Sequence, residues 1–253
     1  MSGLRERAGG RPFDRHVFEL WLRSARGRHL IQTEERELAR TLPELFGRHL
    51  LQIGSWGRGT RLIASSQMLH SAVLGTVRGF DEQALALPEQ LPVMTKSVDA
   101  VLLAHCLEFV RSPQSVLREV NRVLTDRGRV LVLGFNPWSF WGLRHGLGLR
   151  YRAFPPGARL VSVGRLHDWL ELLDFEVCEV RRFGVGFPWH VPHSEGWGNA
   201  LQRAFDALAD VYLLVAKKRV IPMTLIGRRV RATVKPAIGV GVAPAPEARR
   251  ESS

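Results

Sequence analysis

Cysteine is nearly absent from this 253-residue chain: Cys106 and Cys178 are its only two, each inside an apolar, strand-like run. That usage reads as two buried thiols in a reducing compartment, not as a disulfide framework, and no Cys/His spacing suggests a metal site. Long apolar runs are missing too. Runs such as residues 130–133 and 211–216 are of strand length, far below the roughly 20 residues that span a bilayer, and the N-terminus lacks the apolar core of a signal peptide. A soluble, cytoplasmic protein without a membrane span is expected. Lysine is scarce: Lys96, Lys217, Lys218 and Lys235 are the only four among 36 Lys and Arg residues. Such a bias toward Arg reflects a GC-rich genome more than a choice of partner.

Positive charge, in contrast, is abundant, with a formal net charge of +12. Its distribution decides what it means. Residues 1–29 carry 7 Arg against 3 acids and residues 217–253 carry 9 Lys or Arg against 2, whereas residues 30–216 carry 20 against 19. A basic core is excluded, and any nucleic-acid contact would have to use the termini. With 45% hydrophobic and 24% charged residues, the remainder has ordinary globular composition.

From about residue 49 to 134 the pattern alternates strand, turn and helix. Residues 49–53 form a short apolar run, followed at once by Gly54-Ser55-Trp56-Gly57-Arg58-Gly59 and a helical stretch over 60–68. A second strand is expected at 72–77, and residues 85–92 form a Leu- and Pro-rich loop. The nearly continuous apolar run 98–104 reads as a central parallel strand covered on both faces. Ser112 as N-cap, Pro113 at the first helical position, and Val116, Leu117, Val120, Val123 and Leu124 on one face define the next helix. Asp126-Arg127-Gly128 turns it into a strand over 129–134. A helix from Ser162 with Leu166, Trp169, Leu170 and Leu173 on one side, a strand at 175–180, a helical pattern at 200–208 and a last strand at 212–216 follow. The expected organisation is a basic arm (1–29), a domain (30–218) with insertions at 135–160 and 183–209, and a basic, Pro-containing tail (219–253).

A glycine-rich turn between the first strand and its helix lets the backbone approach a ligand and presents free N–H groups to an anion. Its order here is G-x-x-G-x-G, which differs from the dinucleotide G-x-G-x-x-G, and no acid lies at the spacing a nicotinamide oxidoreductase needs. More specific is the stretch downstream: Leu91-Pro92, Ser97-Val98-Asp99-Ala100-Val101 through His105-Cys106-Leu107-Glu108-Phe109-Val110, Pro113, Leu117-Arg118-Glu119-Val120, Arg122-Val123-Leu124 and Gly128-Arg129-Val130-Leu131. In order and spacing, over about 45 residues, it resembles the class I S-adenosylmethionine-dependent methyltransferases, in the subgroup that includes quinone-biosynthesis enzymes. The resemblance implies an α/β, Rossmann-like, seven-stranded and mostly parallel sheet with helices on both faces and an antiparallel last strand. It also implies S-adenosyl-L-methionine as cofactor.

On that resemblance the cofactor site comprises Gly54, Ser55, Gly57 and Gly59 of the turn, Thr76 after the second strand, Leu91 in the adenine segment, and His105 and Leu107 after the fourth strand. Gln52 stands where the family commonly has an acid, Trp56 displaces a glycine, and Thr76 or Val77 stands where an acid usually accepts the ribose hydroxyls. Asp99 is expected to position backbone at a strand start, and Glu108 to cap or solvate a helix edge. Asn136-Pro137-Trp138-Ser139 is similar to a motif of amino-group methyltransferases, but that motif follows the fourth strand and this one the fifth, so the match is rejected.

Ligands of open α/β sheets lie outside the carboxyl ends of the parallel strands. Both irregular segments, 135–160 and 183–198, leave from such ends, which makes Trp138, Trp141, Arg144, Tyr151 and Trp189 the candidate acceptor contacts and His105, His145 and His190 the candidate bases. The same aromatics would also serve as a hydrophobic sheet edge or a dimer interface, and the oligomeric state is left open. The leading expectation is methyl transfer to a small-molecule acceptor. The degenerate motif leaves a non-catalytic interaction module as an alternative, and the basic termini leave an RNA or DNA methyltransferase as another.

Overall fold

The computed structural model describes residues 20–54, 56, 60–76, 83–140, 142–143, 158–184 and 208–219. Seven strands, β1 (His49–Ile53), β2 (His70–Gly75), β3 (Ala84–Leu85), β4 (Val98–Ala104), β5 (Leu124–Phe135), β6 (Phe175–Phe183) and β7 (Val211–Lys218), form one sheet in the order β3-β2-β1-β4-β5-β7-β6. The first five run parallel, and β7 lies antiparallel between β5 and β6. The expected Rossmann-like, mostly parallel sheet is the fold observed. Strand order reverses between β1 and β4, and their carboxyl ends therefore open the crevice in which such sheets hold ligands.

Burial on both faces explains why β4 reads as an unbroken apolar run. Ala100, Leu102 and Ala104 join one core cluster with Leu30, Leu38 and Trp56, while Val101 and Leu103 join another with Val116, Leu117, Val120 and Leu166. Helix α1 (Ala25–Thr41) covers the first face, and α2 (Pro113–Val123) and α3 (Val163–Glu171) contribute to the second. α1 is capped by Ser24, whose Oγ accepts from the Gly27 amide. Its buried stripe is Leu30, Glu34, Leu38 and Thr41, so a carboxylate is carried into the core at helical spacing. α1 crosses the boundary expected at 29/30, and Trp21 and Leu22 are buried with it.

Several local expectations are corrected. In place of a helix over 60–68 there is a single 3-10 turn, Arg61–Ile63. Ser66 Oγ accepts from the Met68 amide beyond it, taking a backbone donor that a continuing helix would use. β3, two exposed residues at the sheet edge, lies at the start of the expected loop; so short an element leaves no periodicity to read. Ser112 makes no capping bond to the α2 backbone, and its Oγ pairs with Ser115 Oγ instead. Cys106 is buried but Cys178 is exposed, because β6 is an edge strand. Asp99 does position backbone: its Oδ2 accepts from the Arg48 and His49 amides at 2.7 and 3.1 Å and ties the start of β1 to β4. No helix among the described residues is long and apolar enough to cross a membrane.

Candidate functional site

β1 ends in Gly54, whose amide donates to Leu74 O at 3.0 Å and whose φ of +111° is accessible in practice only to glycine. A Cβ there would lie 2.6 Å from Ala104 O and 3.5 Å from Cys106 Cβ, so the turn presses against the chain on both sides of His105. Gln52, fully buried on β1, donates through Nε2 to Gly54 O and Trp56 O at 3.3 Å each. A neutral amide thus holds the turn where the family resemblance leads one to look for an acid.

Trp56 folds inward from the turn. Its ring lies 4.1 Å from the His105 ring and 5.6 Å from Phe135, centroid to centroid, with Trp21 and Phe135 completing an aromatic wall. His105, at the carboxyl end of β4 with φ +47°, is 1% exposed. Its Nε2 lies 2.7 Å from Glu34 Oε1 and its Nδ1 3.2 Å from Glu108 Oε1. Glu34 also accepts from Trp56 Nε1–H through its other oxygen, and Glu108 Oε1 accepts from the Phe135 amide at 2.9 Å. Glu108 is therefore a buried member of this network, correcting its expected place on a solvated helix edge. Burial pulls the His105 pKa down, but the two carboxylates override it and push it up to about 9. The ring is an imidazolium at neutral pH, donating from both nitrogens.

Five buried side-chain oxygens stay without a hydrogen-bond partner among the described residues, and two of them, Gln52 Oε1 and Glu108 Oε2, belong to side chains that hold the glycine turn or His105. Both are acceptors, which suits a ligand that brings positive charge or N–H donors. At the outer rim Asp210, 3% exposed, meets Arg26 Nη2 at 2.9 Å; burial pushes its pKa up to about 6 against the pull of the guanidinium.

The other sequence-derived residues are distributed differently. Thr76 is exposed just past β2, where its hydroxyl would offer only neutral hydrogen bonds to a ribose. Leu91 is buried, and its amide is engaged by Glu119 Oε1 at 2.8 Å, which Arg122 clamps in turn. Leu107 is packed into the core cluster of α2, and Trp138 is 67% exposed with its amide bonded to Asn136 Oδ1. Ser55, Gly57, Gly59, Trp141, Arg144, His145, Tyr151, Trp189 and His190 lie outside the described residues. Glu34 was missed by sequence reasoning, although a lone carboxylate within the α1 stripe 30/34/38 was a readable signal.

Stability should record the charged His105. Its folded pKa of about 9 exceeds the ordinary 6.5, so the stabilisation is complete below pH 6.5 and is lost as pH rises to 9. A loss of about 3.5 kcal/mol across that window is expected, at about 1.4 kcal/mol per pH unit. Asp210 acts at lower pH, its raised pKa removing stability between pH 3.8 and 6. Urea unfolding from pH 6.5 to 9.5 checks this, and a flat profile would contradict the charge assignment.

Residues 48–132 match the family described as a methyltransferase domain. The chain is 38% identical over 191 residues to YafS, an uncharacterized protein of Escherichia coli, covering 76% of this chain and 77% of that protein. It is 34% identical over 186 residues to an uncharacterized Mycobacterium tuberculosis protein, covering 69% of this chain and 62% of the relative. Among solved structures, a Thermotoga maritima S-adenosylmethionine-dependent methyltransferase, described as a possible histamine N-methyltransferase, superposes with a TM-score of 0.59 at 22% identity over 81% of this chain and 99% of its own. An Archaeoglobus fulgidus S-adenosylmethionine-dependent methyltransferase gives 0.58 at 17% over 81% and 100%. The chain belongs to the class I S-adenosylmethionine-dependent methyltransferase family, in its type 11-like branch. S-adenosyl-L-methionine is the cofactor that this family implies.

Proposed function

We propose that the protein transfers a methyl group from S-adenosyl-L-methionine to a small-molecule acceptor. The observation that carries this reading is the glycine turn at the β1/β4 switch point, set against a buried charged network that leaves two acceptor oxygens unused. Those oxygens fit the cationic methionine end of the cofactor. Bound there, the cofactor supplies a methyl already activated on a sulfonium, so the chain has mainly to align the reactants and exclude water.

Gly54 with Ser55, Gly57 and Gly59 would hold the methionine end, Thr76 the ribose, and the segment around Leu91 the adenine. Trp138, Trp141, Arg144, Tyr151 and Trp189 are the acceptor side in this reading. Both nitrogens of His105 are committed to carboxylates, which favours a positioning role for it and leaves His145 and His190 as the bases for an acceptor that must lose a proton. A cytoplasmic setting agrees with this reading. Most of the basic termini, residues 1–19 and 220–253, lies outside the described residues, and nothing among the described residues of the site favours a nucleic-acid acceptor.

The missing ribose acid and the inward Trp56 favour a second reading, a methyltransferase-fold interaction module without activity. Calorimetric titration with S-adenosylhomocysteine separates the two. The enzyme reading expects saturable binding in the micromolar range, and no heat at millimolar ligand would leave only the interaction module.

A further inference from the structure

We propose that Glu34, His105 and Glu108 form an anionic seat that selects the positively charged methyl donor over its neutral thioether product, with Glu34 as the specificity-determining residue. The inference rests on the cofactor reading above and adds what distinguishes the two forms of the cofactor at this site.

The charge follows from the two contacts of His105 together with its raised pKa. Each ring nitrogen of His105 lies within hydrogen-bond distance of a different carboxylate, and two carboxylates around one doubly donating imidazolium sum to one negative charge. All three side chains are at most 1% exposed. Among the described residues these carboxylates also accept from the Trp56 indole and the Phe135 amide, both neutral donors. A buried net charge is costly unless something compensates it.

Its position is at the glycine turn. Trp56, part of that turn, lies on the His105 ring, and a Cβ on Gly54 would touch the residues flanking His105. The Gln52 amide is held to the turn through Nε2, so its unpartnered Oε1 is there as well, while the unpartnered Oε2 of Glu108 belongs to the carboxylate that holds His105 Nδ1. Unpartnered acceptors at this point suit a ligand that brings positive charge or N–H donors. A sulfonium at this end of β4 gains from the net negative charge in a low-dielectric setting; once the methyl has left, the sulfur is neutral and the gain disappears. The arrangement therefore favours product release after each transfer.

Calorimetric affinities for S-adenosylmethionine and S-adenosylhomocysteine, measured on the full chain and three variants, test this. Glu34→Gln removes one charge while keeping the side chain's shape, and should lower the preference for the sulfonium form, relative to the thioether, at least fivefold against wild type. Glu108→Gln makes the same charge change from the other end of the network and gives the same reading if Glu34→Gln fails to fold. Glu34→Asp keeps the charge and should keep the wild-type ratio. Equal weakening of both ligands in the Gln variants, with the ratio unchanged, would overturn the inference while leaving the cofactor reading intact. Failure of the wild type to bind either ligand would overturn the cofactor reading itself, and this inference with it.

Discussion

Truncating Glu34 to alanine is expected to lower the unfolding free energy by about 2–6 kcal/mol, from two buried donors left without an acceptor at about 1–3 kcal/mol each. The reason lies in what is left behind. His105, fully enclosed, loses the carboxylate 2.7 Å from Nε2, and the Trp56 indole N–H loses its acceptor in the same step. Each orphaned buried donor carries its own desolvation cost. The His105 ring is then left with Glu108 alone at 3.2 Å, so its pKa should fall from about 9 and the alkaline limb of the stability profile should move to lower pH. A urea midpoint within about 0.5 kcal/mol of wild type would show that α1 does not close over this network in solution.

Gly54→Val should abolish binding of the cofactor product. At φ +111° a β-branched residue is forced into a backbone region that costs of order 1–3 kcal/mol, and its Cβ would stand 2.6 Å from Ala104 O. Relief requires β1 and β4 to part at their carboxyl ends, where the crevice is. Calorimetry with S-adenosylhomocysteine on protein shown to be folded by urea titration is the check. Wild-type affinity in the variant would mean that the turn is not the binding element.

These two substitutions differ in how visible their targets are in the sequence. Gly54 stands in a recognisable strand, glycine turn and helix pattern, although the helix itself is not formed, and the apolar run of β4 with the one-sided pattern of α2 announces a covered parallel sheet. Asp99 could be assigned to strand positioning on the same grounds. Glu34 has no such local signature, because its partners His105 and Trp56 are 71 and 22 residues away and its meaning comes from them. The two cysteines make the same point: both lie in apolar runs, but only the position of β6 at the sheet edge decides that Cys178 meets solvent. The helix expected after the glycine turn is replaced by a 3-10 turn, beyond which a serine side chain takes a backbone amide, a feature that periodicity does not report.

The sequence by itself determined the architecture and the family, because hydrophobic period and turn glycines act over a few residues and are written in order along the chain. The tertiary structure alone decided that a carboxylate from α1, a histidine from the end of β4 and a glutamate beyond it share one buried site. Their pairing depends on which helix lies over which strand end, and that is settled by the packing of the whole sheet.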